Sequence, residues 1–180
     1  MLSVIDKGEG LIRWAAGLGW EASRKVLAES SARGTKAHKD MESVLNGGKP
    51  ETPEGIAGAK FLSESGLRVL EFDKGARANE LVVHSMHFGF AGTLDAVGTA
   101  SDGTNVLLDW KTSNAIRKET ALQTIAYKVA FEEMHPKIKI DRRMVVRLVA
   151  DGSYETKEYR DDAGDFAGFL GALSVFKWLH

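Results

Sequence analysis

Hydrophobic positions recur along this chain with two different periods, and the period changes several times. A spacing of three and four residues predicts helices over residues 9–18, 20–30, 32–46, 54–65 and 162–179. A further helix is predicted to begin at a cap at Ser113 or Asn114 and to end at Met134. Alternation with a period of two predicts strands over residues 67–72, 80–88, 94–98, 106–112, 143–150 and 153–159. This order of elements predicts an α/β fold in which helices flank a mixed central β-sheet.

Two short turn sequences join neighbouring strands. Ser101-Asp102-Gly103 separates one pair, and Asp151-Gly152 separates the last pair. A three-residue hairpin loop ends with a left-handed residue, a conformation that Gly103 adopts without a Cβ clash. The first hairpin therefore places Asp95 opposite Asp109.

Residues with catalytic chemistry converge on that first hairpin. Because side chains alternate along a strand, Asp109 and Lys111 are expected on the same side as Asp95, while the apolar residues between them face a core. Two carboxylates are suitable ligands for a hard divalent cation, and a neighbouring lysine can orient a water molecule beside a phosphate.

A competing acidic residue and lysine pair occurs in Glu155-Thr156-Lys157, also within a predicted strand. An acidic residue two positions before a lysine is common on a solvated strand. The 155–157 segment lacks an aspartate placed opposite by a turn and has few apolar neighbours. We therefore assign the candidate chemistry to Asp109 and Lys111.

Four segments in this order resemble the motifs of the PD-(D/E)XK nuclease superfamily, specifically its RecB-like exonuclease branch. They are Arg33-Gly34-Thr35-Lys36-Ala37-His38 with Glu42 one turn later, Gly92-Thr93-Leu94-Asp95, Leu107-Leu108-Asp109-Trp110-Lys111-Thr112, and the stretch from Gln123 to Tyr127. The resemblance spans residues 33–127 and includes short single-domain proteins of phages and prophages. It implies a restriction-endonuclease-like core.

The resemblance also implies a role for each matching residue. The metal ligands would be His38, Asp95, Asp109 and the main-chain carbonyl of Trp110. Glu80 matches an acidic position of the branch, and whether it contacts metal or only solvent stays open at this point. Lys111 and Gln123 would assist catalysis, and Tyr127 would stack against the bound strand. The expected cofactor is one or two ions of Mg²⁺ or Mn²⁺, with Mn²⁺ favoured by the imidazole nitrogen.

Composition restricts the class of protein further. The chain has 180 residues, 43% of them hydrophobic, which fits one nuclease domain over residues 1–180. It contains no cysteine, so disulfides and the iron–sulfur cluster of some RecB-like proteins are excluded. Neither a membrane span nor a signal peptide is expected, which predicts a cytoplasmic protein of a bacterium or a phage-infected cell.

The formal net charge of −1 gives no overall attraction to nucleic acid, so phosphate binding must depend on local basic patches. The expected substrate contacts are Lys36, Lys39, Arg117 and Lys118, with Arg33, Arg142, Arg143 and Arg147 as further candidates. Each patch has the alternative interpretation of an ordinary solvated surface.

These observations predict a metal-dependent deoxyribonuclease, expected to be an exonuclease that hydrolyses phosphodiester bonds through a metal-activated water in DNA recombination, repair or processing. Its partner would be DNA that is single-stranded or has free ends. The chain has no Walker-type loop, so unwinding would need a helicase or recombinase partner. The alternatives are a structure-specific endonuclease and a non-catalytic nucleic-acid-binding domain that retains the fold.

Overall fold

A computed structural model describes residue 17 and residues 19–72 and 75–180 of the chain. Its helices are α1 (Trp20–Leu45), α2 (Pro53–Ser65), α3 (Thr120–Met134) and α4 (Asp162–Leu179). Its strands are β1 (Arg68–Val69), β2 (Asn79–Ser85), β3 (Phe90–Thr99), β4 (Asn105–Lys111), β5 (Arg142–Leu148) and β6 (Tyr154–Tyr159). Within these residues, no helix combines the length and apolar character needed to cross a membrane.

The strands form one mixed sheet in the order β1-β3-β4-β5-β6, and β2 pairs with the first part of β3. Only β4 and β5 run parallel, and α3 connects them. The predicted β3–β4 hairpin is confirmed, with Gly103 in the left-handed region at φ 84°. The predicted turn at Asp151-Gly152 likewise joins β5 to β6, with Gly152 at φ 82°.

Helices cover both faces of the sheet, which confirms the predicted α/β architecture. On one face, α1 and α2 pack on the sheet through a cluster that contains Met41, Phe61, Leu108 and Trp110. On the other face, α3 packs on Val83, Leu94, Val97 and Leu107 through Ala130 and Phe131. Helix α4 covers α3 through Phe169 and Leu173. The apolar alternation of β4 is therefore buried on both sides.

Several predicted boundaries were wrong. The two helices predicted over 20–30 and 32–46 are one continuous helix that ends at Leu45, and the polar segment between them stays helical. The strand predicted over 67–72 is regular only at Arg68–Val69. The strand predicted over 80–88 ends at Ser85. The helix predicted over 9–18 lies outside the described residues, apart from residue 17.

Helix α3 also begins later than predicted. It starts at Thr120, and neither Ser113 nor Asn114 caps it. The carbonyl of Arg117 accepts hydrogen bonds from the hydroxyls of Thr120 and Tyr159, which hold residues 113–119 as a loop. This loop follows β4 directly, so it lies at the end of the sheet that carries Lys111.

A buried aspartate fixes α2 against α1. The carboxylate of Asp40 is 7% exposed and accepts hydrogen bonds from the backbone N–H groups of Glu51 and Thr52 and from the Thr52 hydroxyl. The same hydroxyl oxygen accepts from the Gly55 N–H and so caps α2. Burial alone would raise the pKa of Asp40, but these hydrogen bonds outweigh it and lower the pKa.

We expect Asp40→Ala to lower the free energy of unfolding by about 2 to 4 kcal/mol, because it leaves several buried donors without an acceptor. Asp102→Ala is the control, since Asp102 accepts comparable bonds from Thr104 in an exposed turn and should cost much less. Urea unfolding measures both. Equal losses for the two variants would contradict a special role of Asp40.

Candidate metal centre

Asp95 and Asp109 meet where β3 and β4 stop pairing. The register pairs Ala96 with Leu108, and one further step places Asp95 beside Asp109, as the hairpin predicted. The backbone N–H of Trp110 donates to Oδ2 of Asp95 at 2.6 Å. The carboxylate thus takes the place of a backbone acceptor and is held against β4.

The backbone is irregular at this position. Leu94 packs in the cluster beneath α3, whereas Ala96 packs in the cluster beneath α1, although residues two apart in a regular strand share one face. The register of β2 and β3 places Glu80 opposite Asp95. Glu80 has φ 45°, a left-handed conformation that is uncommon for a residue with a Cβ atom. Such strain is typical of functional sites.

His38, Glu80 and Asp95 form a compact group of metal-type ligands. One ligand atom of each lies within 4.8 Å of the others. Nδ1 of His38 lies 3.4 Å from Oδ1 of Asp95 and 3.6 Å from Oε1 of Glu80. The lone pair of an unprotonated Nδ1 would face two carboxylates and be repelled, so this arrangement favours either a proton on Nδ1 or a cation between the three groups. The contact with Asp95 raises the pKa of His38, in opposition to burial.

The main-chain carbonyl of Trp110 contacts the other ring nitrogen of His38. Nε2 lies 3.1 Å from this oxygen. When the ring is neutral, donation from Nε2 to the carbonyl leaves the Nδ1 lone pair facing Asp95 and Glu80. In this arrangement the Trp110 carbonyl, which was expected to be a ligand itself, orients the imidazole of a candidate ligand.

Asp109 and Lys111 form a buried ion pair. Asp109 is 1% exposed, and Nζ of Lys111 donates to its Oδ1 at 2.8 Å. Nζ also lies 2.7 Å from Oδ2, but Oδ2 is buried and accepts no hydrogen bond from the described residues. Oδ2 therefore has an ionic contact with Lys111 but no hydrogen bond, which makes it a candidate oxygen donor for a cation.

Burial raises the pKa of Asp109 to about 6, and the attraction of Lys111 only partly opposes this rise. The pKa of Lys111 is raised as well, since Asp109 and Asp95 outweigh the effect of burial on the ammonium group. The folded state thus holds a carboxylate at an energetic cost while keeping the neighbouring lysine charged.

Gln123 and Tyr127 line the side of the site formed by α3. Nε2 of Gln123 donates to the Tyr127 hydroxyl at 3.0 Å, which confirms that they share one helix face. A Cβ atom on Gly92 would lie 2.6 Å from the Tyr127 ring, so the absence of a side chain at Gly92 lets the ring approach β3. Burial raises the pKa of Tyr127 and keeps its hydroxyl protonated at neutral pH.

Helix α1 is fixed to the end of β4 and forms one wall of a groove. The guanidinium of Arg33 donates to the Thr112 carbonyl at 3.1 Å, and a Cβ atom on Gly34 would contact the Thr112 hydroxyl at 3.5 Å. These contacts assign Arg33 a structural role that its charge alone did not indicate. The groove, of about 470 Å³, is lined by Gly34, Thr35, His38, Lys39, Glu42 and Glu80.

The basic residues predicted to contact DNA differ in their surroundings. Lys39 lines the groove, and Lys36 is exposed on the same helix. Arg117 and Lys118 are exposed in the loop after β4, where Arg117 lies 3.8 Å from Glu119.

The three arginines of β5 are engaged within the protein. Arg143 is 1% exposed and bonds to Asp162 and Asp165, so it is removed from the candidate phosphate contacts. Arg142 pairs with Glu158 and Arg147 with Glu155.

The competing pair near residue 155 is on edge strand β6. Glu155 bonds to Arg147, and Lys157 lies over the ring of Tyr159. Neither residue is in the group around Asp95. The structure therefore separates this pair from the candidate metal centre.

Comparisons with known proteins do not identify a family. No protein-family model matches the chain, and no curated protein matches it. A solved structure titled "Crystal structure of SSO0001" has 15% sequence identity and a TM-score of 0.47, over 94% of this chain and 70% of that chain. At this TM-score the likeness supports no conclusion about function.

We expect Asp109→Asn to raise the free energy of unfolding of the metal-free protein by about 3 kcal/mol above pH 7, because it removes a carboxylate whose pKa folding raises. Below pH 4, Asp109 is protonated in both the folded and the unfolded protein, so the variant and the wild type should be equally stable. The stability difference develops as the pH rises from 4 to 6. Denaturation at pH 4 and pH 8 in chelator measures it. A destabilised variant at pH 8 would show that the pair with Lys111 outweighs burial.

A second prediction concerns the imidazole. Mn²⁺ should bind more tightly than Mg²⁺, because a nitrogen ligand favours the softer ion. His38→Ala should remove most of that preference in calorimetric titrations, whereas His87→Ala, which changes an exposed histidine, should retain it. An unchanged ratio of Mn²⁺ to Mg²⁺ affinity in His38→Ala would exclude His38 as a ligand.

Proposed function

We propose that this protein is a metal-dependent deoxyribonuclease of the PD-(D/E)XK type, most similar to RecB-like exonucleases. One observation carries the proposal. The buried pair of Asp109 and Lys111 ends a central strand beside Asp95, and Asp95 in turn contacts His38 from a separate helix. A purely structural ion pair would not need the adjacent group of metal-type ligands.

The residues present fit a divalent cation. His38, Glu80 and Asp95 would hold it. Asp109 is outside this group, and its Oδ2, which is in ionic contact with Lys111 but accepts no hydrogen bond, is a further oxygen donor. Carboxylate oxygens with one imidazole suit Mg²⁺ and Mn²⁺. When bound, such an ion supplies Lewis acidity and lowers the pKa of water.

The protein's own residues account for the rest of the chemistry. In hydrolysis, a water oxygen bonds to phosphorus, the bond from phosphorus to one ester oxygen breaks, and that oxygen takes up a proton. Lys111 remains charged at neutral pH, so it is suited to orienting the water and offsetting phosphate charge. Tyr127 and Gln123 offer a hydroxyl and an amide to the bound strand.

The proposed substrate is DNA with free or single-stranded ends. Lys36, Lys39, Arg117 and Lys118 provide short basic patches, and a single strand needs fewer phosphate contacts than a gripped duplex. A structure-specific endonuclease and a non-catalytic nucleic-acid-binding domain are the competing functions.

Lys111→Ala should lower the rate of cleavage by about 10²-fold or more, because one positioned proton-transfer or charge-stabilising group contributes on this scale. Lys157→Ala is the matched control, since it removes a lysine from an exposed edge strand and should leave activity unchanged. The assay measures release of labelled nucleotides with Mg²⁺ or Mn²⁺, and chelator should abolish it.

A residual activity above about a tenth of the wild-type rate in Lys111→Ala would contradict the assigned role of this lysine. A wild-type protein that binds DNA but cleaves none with either ion would instead favour the non-catalytic domain.

Linear single strands should be degraded, whereas covalently closed single-stranded circles of the same sequence should persist, because the proposed enzyme starts from an end. Products should show little base preference, since phosphate and stacking contacts read no sequence. Gel analysis of both substrates over time measures this difference. Rapid cutting of the circles would support the endonuclease.

A further inference from the structure

Gly92 lies on the face of β3 that packs under α3, and a tyrosine ring fills the space of its missing side chain. Leu94, two residues later on the same strand, packs in the cluster beneath α3, and Tyr127 packs against that cluster. A Cβ atom on Gly92 would lie 2.6 Å from Cε1 of Tyr127 and 3.4 Å from its hydroxyl oxygen. A glycine inside a strand weakens the strand and often marks a close approach. The close approach here is that of the hydroxyl end of Tyr127.

The backbone at Gly92 has little freedom to move away from this ring. Gly92 pairs with Val83 of β2, which is fully buried. Three residues later, the bond from the Trp110 N–H to Asp95 holds β3 against β4. Carbon atoms in contact are about 3.5 to 4 Å apart, so a methyl group at position 92 would displace the Tyr127 ring by about 1 Å.

The Tyr127 hydroxyl retains a proton that it can donate. It accepts a hydrogen bond from Nε2 of Gln123 at 3.0 Å, and no acceptor for its own proton lies among the residues that the structure describes. Burial raises the pKa of Tyr127, the bond from Gln123 opposes this rise, and the charge of Asp109 adds to it. The charge of Lys111 acts on Tyr127 as well. The hydroxyl is therefore a neutral donor beside the buried ion pair.

The surroundings of the ring favour a donor role over stacking. Tyr127 is only partly exposed, because its ring lies on Gly92 and against the cluster beneath α3. A base that stacks on an aromatic side chain needs an open ring face. The ring is thus less suited to stacking than the resemblance implied, whereas the hydroxyl remains next to Asp109.

We propose that the Tyr127 hydroxyl donates a hydrogen bond to a non-bridging oxygen of the scissile phosphate, and that Gly92 is the positioning residue for this hydroxyl. This proposal rests on the proposed nuclease function. A donor placed in this way stabilises the charge on the phosphate oxygens while water attacks, so it acts on kcat and not on KM. A displacement of about 1 Å is enough to weaken such a contact severely.

The test is a double-mutant cycle. Tyr127→Phe removes only the hydroxyl, and Gly92→Ala displaces it. Each variant should lower kcat on a short labelled single strand of DNA with Mn²⁺ about tenfold or more and leave KM unchanged. The double variant should be no slower than Tyr127→Phe, because a displaced ring without a hydroxyl loses nothing further.

Gly98→Ala is the matched control on the same strand. A Cβ atom there would meet its nearest neighbour, the Arg68 carbonyl oxygen, at 3.4 Å, so the variant should keep the wild-type kcat. Thermal melting verifies the fold of every variant. Calorimetric titration with Mn²⁺ should give the wild-type affinity for each, because neither Gly92 nor Tyr127 belongs to the ligand group.

Each outcome decides one part of the proposal. A Tyr127→Phe variant with the wild-type kcat overturns the donor role. Equal losses from Gly92→Ala in the tyrosine and phenylalanine backgrounds, or a Gly92→Ala variant that does not fold, overturn the positioning role and show a packing role instead. Both results leave an active wild type and hence the nuclease function intact, whereas a wild type that cleaves no DNA overturns the nuclease function itself.

Discussion

The position of one carboxylate determines the arrangement of the whole candidate site. Oδ2 of Asp95 accepts the N–H of Trp110 from β4, and Oδ1 contacts His38 from α1. Asp95 lies where β3 exchanges its partner β2 for β4, so it connects the β2–β3 pair, the buried hairpin and the helical layer. Because this aspartate joins three elements, Asp109, Lys111 and Glu80 all lie near the same point.

This arrangement costs stability that the surrounding fold must supply. Burial of Asp109 disfavours its charged form, and Glu80 has a strained backbone conformation. The cost is offset by two apolar layers around β4 and by contacts such as the Asp40 network. A bound divalent cation would reduce this cost, because it would stabilise the charged carboxylates and lie between them and His38.

The sequence contained enough information for the hairpin but not for its surroundings. The turn at Gly103 and the alternation around Asp109 determined the register, and the four-residue spacing of Gln123 and Tyr127 determined a shared face. The start of α3 depended on hydrogen bonds to the Arg117 carbonyl from Thr120 and from distant Tyr159. The buried state of Arg143 depended on α4. Contacts between distant segments leave no local pattern, and for this reason such features were predicted wrongly or not at all.

The most direct test of the metal centre is a crystal structure of the protein soaked in Mn²⁺, analysed by anomalous diffraction. The expected result is a strong manganese peak within coordinating distance of His38, Asp95 and at least one of Glu80 and Asp109. A protein with intact side chains that shows no peak there, or a peak only on surface carboxylates, would contradict the assignment of this cluster as a metal centre.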